Sequence, residues 1–222
     1  MSEIIPGILE KDWSEIKRKL EIVKSFTKSI HIDILDGKFA PNTTFLDPTP
    51  FSEYTKKLFL EVHMMIENPI QYLESFAKAG FKRFIGQIEC LRQPVDQVEF
   101  VNKAKLLGEV GLAVDSKTSL ENIKVPLSDL DSILIMAVKA GESGQRFNPD
   151  CLKKVEMLKL IQHDTRVSVK IEIDGGIDNK TIFLAKNSGV DRFVSTSFIF
   201  GAHPPAGGPQ EQYNLLKAIA EK

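Results

Sequence analysis

Four residues of this chain have the types and spacing to hold a metal ion. His31 and Asp33 stand two apart in the apolar run "SIHIDIL", so on a strand they point the same way. His63 sits in the run "LFLEVHMM", and Asp174 ends the run "VSVKIEID", just before Gly175 and Gly176. Imidazole and carboxylate together form a His₂Asp₂ donor set that suits zinc, iron, manganese or cobalt. Each group also has an ordinary reading. His63 could be a hydrogen-bonded core histidine, His31 and Asp33 a simple ion pair, and Asp174 a turn former. Their number tells against that, because four polar groups inside apolar runs would each need a buried partner of its own.

These side chains meet only if the surrounding elements bring them together. Apolar runs recur at 4–9, 29–35, 58–65, 83–89, 110–114, 132–138, 167–174 and 192–196. Amphipathic segments separate most of them. "DWSEIKRKLEIVKSF" places Trp13, Ile16, Leu20 and Val23 at helical spacing. Asn68 and Pro69 read as the N-cap and first residue of a helix that Gly80 ends. "NPDCLKKVEMLKLI" repeats the Asn-Pro start, "DNKTIFLAKNSG" again ends on glycine, and the Pro-rich link at 37–57 leaves room for a short helix only. Strand and helix alternating eight times predict a parallel sheet of the α/β class. The 222 residues suit a (β/α)₈ TIM barrel, which typically takes about 250, as one domain over residues 1–222. A doubly wound open sheet is the alternative, but no Gly-x-Gly-x-x-Gly follows an early strand to support a dinucleotide fold. In a barrel the active site lies at the C-terminal ends of the strands, which is where His31, Asp33, His63 and Asp174 fall.

Composition excludes some partners. A net charge of −1 gives no electrostatic case for nucleic acid or an anionic membrane. No apolar run approaches the roughly 18 residues of a membrane span. The start "MSEIIPGILEKDW" lacks the basic residues and long apolar core of a secretory signal. Cys90 and Cys151, far apart, read as reduced thiols, so the expected location is the cytoplasm.

In order through nearly the whole chain, "IHIDILDGKFAPN", "LEVHMMIENP", "MAVKAGESGQRF" and "IEIDGGI" resemble the sequence blocks of ribulose-phosphate 3-epimerases. The resemblance implies a TIM barrel of the ribulose-phosphate binding type. It implies one divalent metal ion (zinc, iron, manganese or cobalt) on His31, Asp33, His63 and Asp174, with Asp33 and Asp174 as the acid/base pair. The substrate it implies is a small ketose phosphate, D-ribulose 5-phosphate or D-xylulose 5-phosphate. A proton leaves the carbon beside the ketone and returns on the other face, by way of an enediolate whose charge the metal stabilises. By the same resemblance Met65 and Met136 lie over the intermediate, and Leu35 stands where the family usually has a third methionine. Any one of these three reads equally well as core. Gly141, Gly144, Gly175 and Gly176 survive from the family's phosphate loops, where glycine lets backbone N–H groups approach closely, and Ser143, Thr196 and Ser197 offer hydroxyls there. Related barrels commonly self-associate, so a homo-oligomer is expected.

Four departures from the family pattern concern the same region. Gly7 stands for a serine, Gln87 for a histidine in the fourth strand, Ala140–Gln145 for Pro-Gly-Phe-Gly-Gly-Gln, and Thr196-Ser197 for Gly-Ser. Glu142 is repulsive toward a phosphate dianion unless it points to solvent, and Lys139 in the same loop offsets it. These changes keep open another ketose phosphate, such as a hexulose 6-phosphate admitted by Gly7 and the altered loops. They also keep open a non-catalytic barrel that binds a metal or sugar phosphate. "AHPPAGGPQEQ" (202–212) reads as a linker, with His203 on the surface.

Overall fold

The computed structural model describes residues 2–141, 144–201 and 207–221. Eight parallel strands close into a barrel in sequence order. They are β1 (Glu3–Ile8), β2 (Ser29–Leu35), β3 (Phe59–Met65), β4 (Arg83–Gln87), β5 (Glu109–Val114), β6 (Ser132–Met136), β7 (Lys170–Asp174) and β8 (Arg192–Ser195). Each falls on one of the eight apolar runs. The helices are α1 (Trp13–Val23), α2 (Leu73–Ala79), α3 (Pro94–Lys105), α4 (Leu152–Thr165), α5 (Thr181–Asn187), α6 (Ser197–Phe200) and α7 (Gly208–Ala220). Among the described residues no helix is long and apolar enough to cross a membrane.

The alternation of strand and helix is incomplete. The β2–β3 link carries only a 3₁₀ turn at Thr49–Glu53, and the β5–β6 link only 3₁₀ turns at Leu120–Asn122 and Leu127–Asp129. Proline 48, proline 50 and proline 126 explain both, since an internal proline removes the N–H that a longer helix needs. Asn68 makes no capping bond through its side chain, and a 3₁₀ turn at Pro69–Tyr72 precedes α2. Gly80 does end α2, in the left-handed conformation with φ 99°. The segment read as a linker is partly helix: α7 begins at Gly208 and buries Gln212 against the barrel. His203 lies outside the described residues.

Parallel strands under helices are buried on both faces. All seven residues of β2 are buried, so the alternation of isoleucine with His31 and Asp33 does not reflect an exposed face. Ile30, Ile32 and Ile34 pack outward with Leu60, Val62 and Met64 beneath the helices. The alternate residues point into the barrel, where Leu35, Met65, Ile85, Ala113, Leu134 and Met136 form a second apolar cluster. α1 covers the outside with Ile16, Leu20 and Val23, and Asp12 caps it by accepting from the backbone N–H groups of Ser14 and Glu15.

Candidate active site

Register sets the heights of the polar side chains. Parallel pairing matches Asp33 with His63 across β2 and β3, and Met136 with Asp174 across β6 and β7. Inward-pointing residues at the C-terminal ends of these strands therefore reach one level. His31, Asp33, His63 and Asp174 each place one donor atom there, all within 4.8 Å of one another. Both histidines are fully buried, and Asp33 and Asp174 are 4% and 9% exposed. Two imidazoles and two carboxylates at that range form a donor set that fits a divalent transition metal.

The hydrogen bonds aim these donors. His31 Nδ1 lies 2.7 Å from Glu61 Oε1 and donates to it, which leaves Nε2 facing Asp33 Oδ1 at 3.3 Å. His63 turns Nδ1 toward the same Asp33 oxygen at 3.0 Å and Nε2 toward Gln87 Oε1 at 2.7 Å. Burial opposes charge on Asp33, but His31 and His63 outweigh it and hold its pKa well below the usual carboxylate range. Asp174 goes the other way. Burial and the Asp33 charge push it up to about 6. Burial works against protonating His31, yet Asp33, Glu172 and Glu61 raise its pKa well above the ordinary value. The four groups together favour a positive charge among them.

Above this cluster opens a cleft of about 410 Å³. It is lined by Asp33, Asp174, Met65, Met136, Gly141, Gly144, Gly175, Gly176, Thr196 and Ser197, with Leu9, Val138 and Gln145. Ten residues singled out in the sequence thus share one wall system, while His31 and His63 lie beneath its floor. Ser143 and Glu142 lie outside the described residues. Gly175 and Gly176 have φ of 111° and 64°, and a Cβ on Gly176 would fall 2.6 Å from the backbone nitrogen of Phe147. The turn after β7 therefore needs glycine twice. At Gly7 the reason is different. A Cβ there would lie 2.2 Å from Thr196 Oγ1, so the room that glycine leaves on β1 is already taken by Thr196, just past the end of β8. The missing side chain does not enlarge the cleft.

Sequence reasoning did not single out a second polar layer below the first. Glu61 stands two residues before His63, and Glu172 two before Asp174, so both also point inward. Arg83 of β4 joins them, paired with Glu61 and, at 2.8 Å, with Glu109. Burial opposes ionising Glu61, and Arg83 with His31 keeps it charged. Among the described residues Glu172 has no hydrogen-bond partner for either oxygen. It sits 3.6 Å from His31 Nδ1 and 3.9 Å from Arg83, with its pKa pushed up to about 7 by burial and by Glu61. The signal was available: the same period of two that picks out His31 and Asp33 picks out these glutamates.

The description "Ribulose-phosphate 3 epimerase family" belongs to the family model that matches residues 3–200. A ribulose-phosphate 3-epimerase of Chlamydia trachomatis is 35% identical over 204 residues, covering 89% of this chain and 85% of its own. One from Schizosaccharomyces pombe is 29% identical over 209 residues, covering 92% and 89%. Among solved structures, a 3-hexulose-6-phosphate synthase from Salmonella typhimurium superposes with TM-score 0.72 at 12% identity, covering 99% of this chain and 98% of that one. At that identity the likeness concerns the barrel alone.

Proposed function

This chain belongs to the ribulose-phosphate 3-epimerase family and is a carbohydrate epimerase, and from that premise we propose that it interconverts D-ribulose 5-phosphate and D-xylulose 5-phosphate with one divalent metal ion on His31, Asp33, His63 and Asp174. The observation that carries this reading is the convergence of those four buried donors at the floor of the cleft. When bound there, the metal supplies positive charge that lowers the cost of negative charge on the ketose oxygens. Asp33 and Asp174 come from β2 and β7, with β1 and β8 between them on the barrel wall. One carboxylate takes the proton from C3 on one face of the substrate, and the other returns a proton on the opposite face. Reversing the roles runs the reaction backward. The intermediate between the two transfers is a planar enediolate.

Other residues protect and orient it. Met65 and Met136 put apolar, polarisable surface on the cleft wall, which excludes water from the reacting carbons. Gly144, Gly175 and Gly176 offer close backbone approach to the phosphate, and Ser197 and Thr196 offer hydroxyls. Gly141 closes the same loop. With Thr196 filling the space beside Gly7, that glycine adds no room for a hexulose 6-phosphate.

The test is epimerisation of D-ribulose 5-phosphate in deuterated water, with metal-loaded and chelator-treated protein side by side. Conversion to D-xylulose 5-phosphate with deuterium entering at C3, lost on chelation, is the expected outcome. Conversion without deuterium uptake would sink the two-carboxylate mechanism. Turnover of a hexulose 6-phosphate alone would replace the substrate.

A further inference from the structure

Beside His63, from the end of β4 to the rim, runs a chain of hydrogen bonds that the acid/base chemistry does not use. Glu89 lies just past the end of β4. Its Oε1 accepts from the backbone N–H of Asp115 at 3.0 Å, which ties it to the end of β5. Its Oε2 accepts from the side-chain amide Nε2 of Gln87. A carboxylate can only accept, so the NH₂ end of the Gln87 amide is committed to Glu89. The carbonyl end must then face inward, where Oε1 lies 2.7 Å from His63 Nε2. A carbonyl also only accepts, so His63 Nε2 carries a hydrogen. The other ring nitrogen, Nδ1, is the one aimed at Asp33. Gln87 is fully buried and β4 holds it rigidly, while Glu89 is only half-buried at the rim.

We propose that Glu89 and Gln87 are positioning residues that fix the His63 ring with Nε2–H on Gln87, and so make Nδ1, which faces Asp33, the nitrogen that a metal would take. The inference rests on the metal reading above for its consequence, but not for the hydrogen-bond order itself. Histidine ligands generally donate their second nitrogen to a fixed acceptor that sets ring and tautomer. His31 has a charged acceptor for that task, Glu61. His63 has a neutral one, and a neutral amide has two ends. Without Glu89 nothing in the described surroundings dictates which end faces the ring. The rim carboxylate converts an ambiguous partner into a directional one.

Three proteins test this: wild type, Glu89→Gln, and the exchange Gln87→Glu with Glu89→Gln. In Glu89→Gln the residue-89 side chain can donate as well as accept, so the Gln87 amide is free to turn. In the exchange a glutamine at 89 donates to a glutamate at 87, which again can only accept from His63. Nitrogen-15 spectra of histidine-labelled, metal-free protein read the His63 Nε2–H and its protection from solvent exchange. Cobalt(II) titration, followed by the visible absorption of the bound ion, reads affinity. The expected result is a protected Nε2–H in wild type, lost protection and about 10-fold or weaker cobalt binding in Glu89→Gln, and recovery of both in the exchange. Wild-type Nε2 without a hydrogen, or equal protection and affinity in all three proteins, overturns the proposal. Failure of wild type to bind cobalt overturns the metal reading instead, and the nitrogen signal then decides the relay by itself.

Discussion

The barrel interior holds two layers of buried charge, and they differ in one respect. The lower layer, Glu61, Glu172 and Arg83, contains its own cation: the guanidinium pairs with Glu61 and lies 3.9 Å from Glu172. The upper layer, Asp33 and Asp174 with His31 and His63, contains no permanently charged cation. Both layers present clustered His and carboxylate donors, since His31, Glu61 and Glu172 also come within 4.8 Å of one another. Clustering alone therefore does not mark a metal site. What distinguishes the upper layer is that its only partners are histidines, with no permanent cation, and that it opens onto a cleft. The lower layer is sealed and braces His31 from below.

Removing a group from each layer should separate chemistry from stability. Asp174→Asn deletes one of the two proposed acid/base carboxylates, and kcat for epimerisation should fall by about 100-fold or more while the thermal stability of the metal-free protein changes little. A variant with near-wild-type kcat would remove Asp174 from the proton transfer. Arg83→Met strips the lower layer of its cation and leaves Glu61 and Glu172 buried together. Breaking a buried pair this way costs about 3–5 kcal/mol, read as a lowered denaturant midpoint. If the midpoint holds, the two layers are alike after all. Chelation should act on the upper layer only. Loss of a metal present at about 100 times its dissociation constant costs about 2.7 kcal/mol. Calorimetry with and without chelator checks this, and the shift should vanish in Asp33→Asn. Smallest is Glu172→Gln. Among the described residues neither carboxylate oxygen has a hydrogen-bond partner, so a neutral isostere relieves repulsion with Glu61. Its melting temperature should match or slightly exceed wild type, and a drop of several degrees would show that Arg83 relies on the Glu172 charge.

The site was legible because a strand shows its inward face at every second residue. His31 with Asp33, and Asp174 before two glycines, are polar types that an apolar strand does not otherwise carry. The glycine loops could be read for a similar reason, since positive φ at Gly175 and Gly176 leaves little choice of residue. Less legible were partners whose meaning depends on another strand. Glu61 and Glu172 follow the same period, yet nothing local says that Arg83 neutralises one of them. Gln87 stood out only as a departure from a pattern, and its role depends on Glu89 two residues later at the rim. Gly7 looked like added space until Thr196, distant in sequence, was found in it.

By itself the sequence determined the eight strands, the inward set on each, and the residue types able to bind a cation and exchange a proton. Those are properties of local period and side-chain chemistry. Only the closed barrel decided which inward residues share a level, which buried carboxylates receive an internal cation, and which nitrogen of each histidine faces Asp33. These follow from interstrand register and from hydrogen-bond direction across neighbouring strands, and neither exists until the sheet closes on itself.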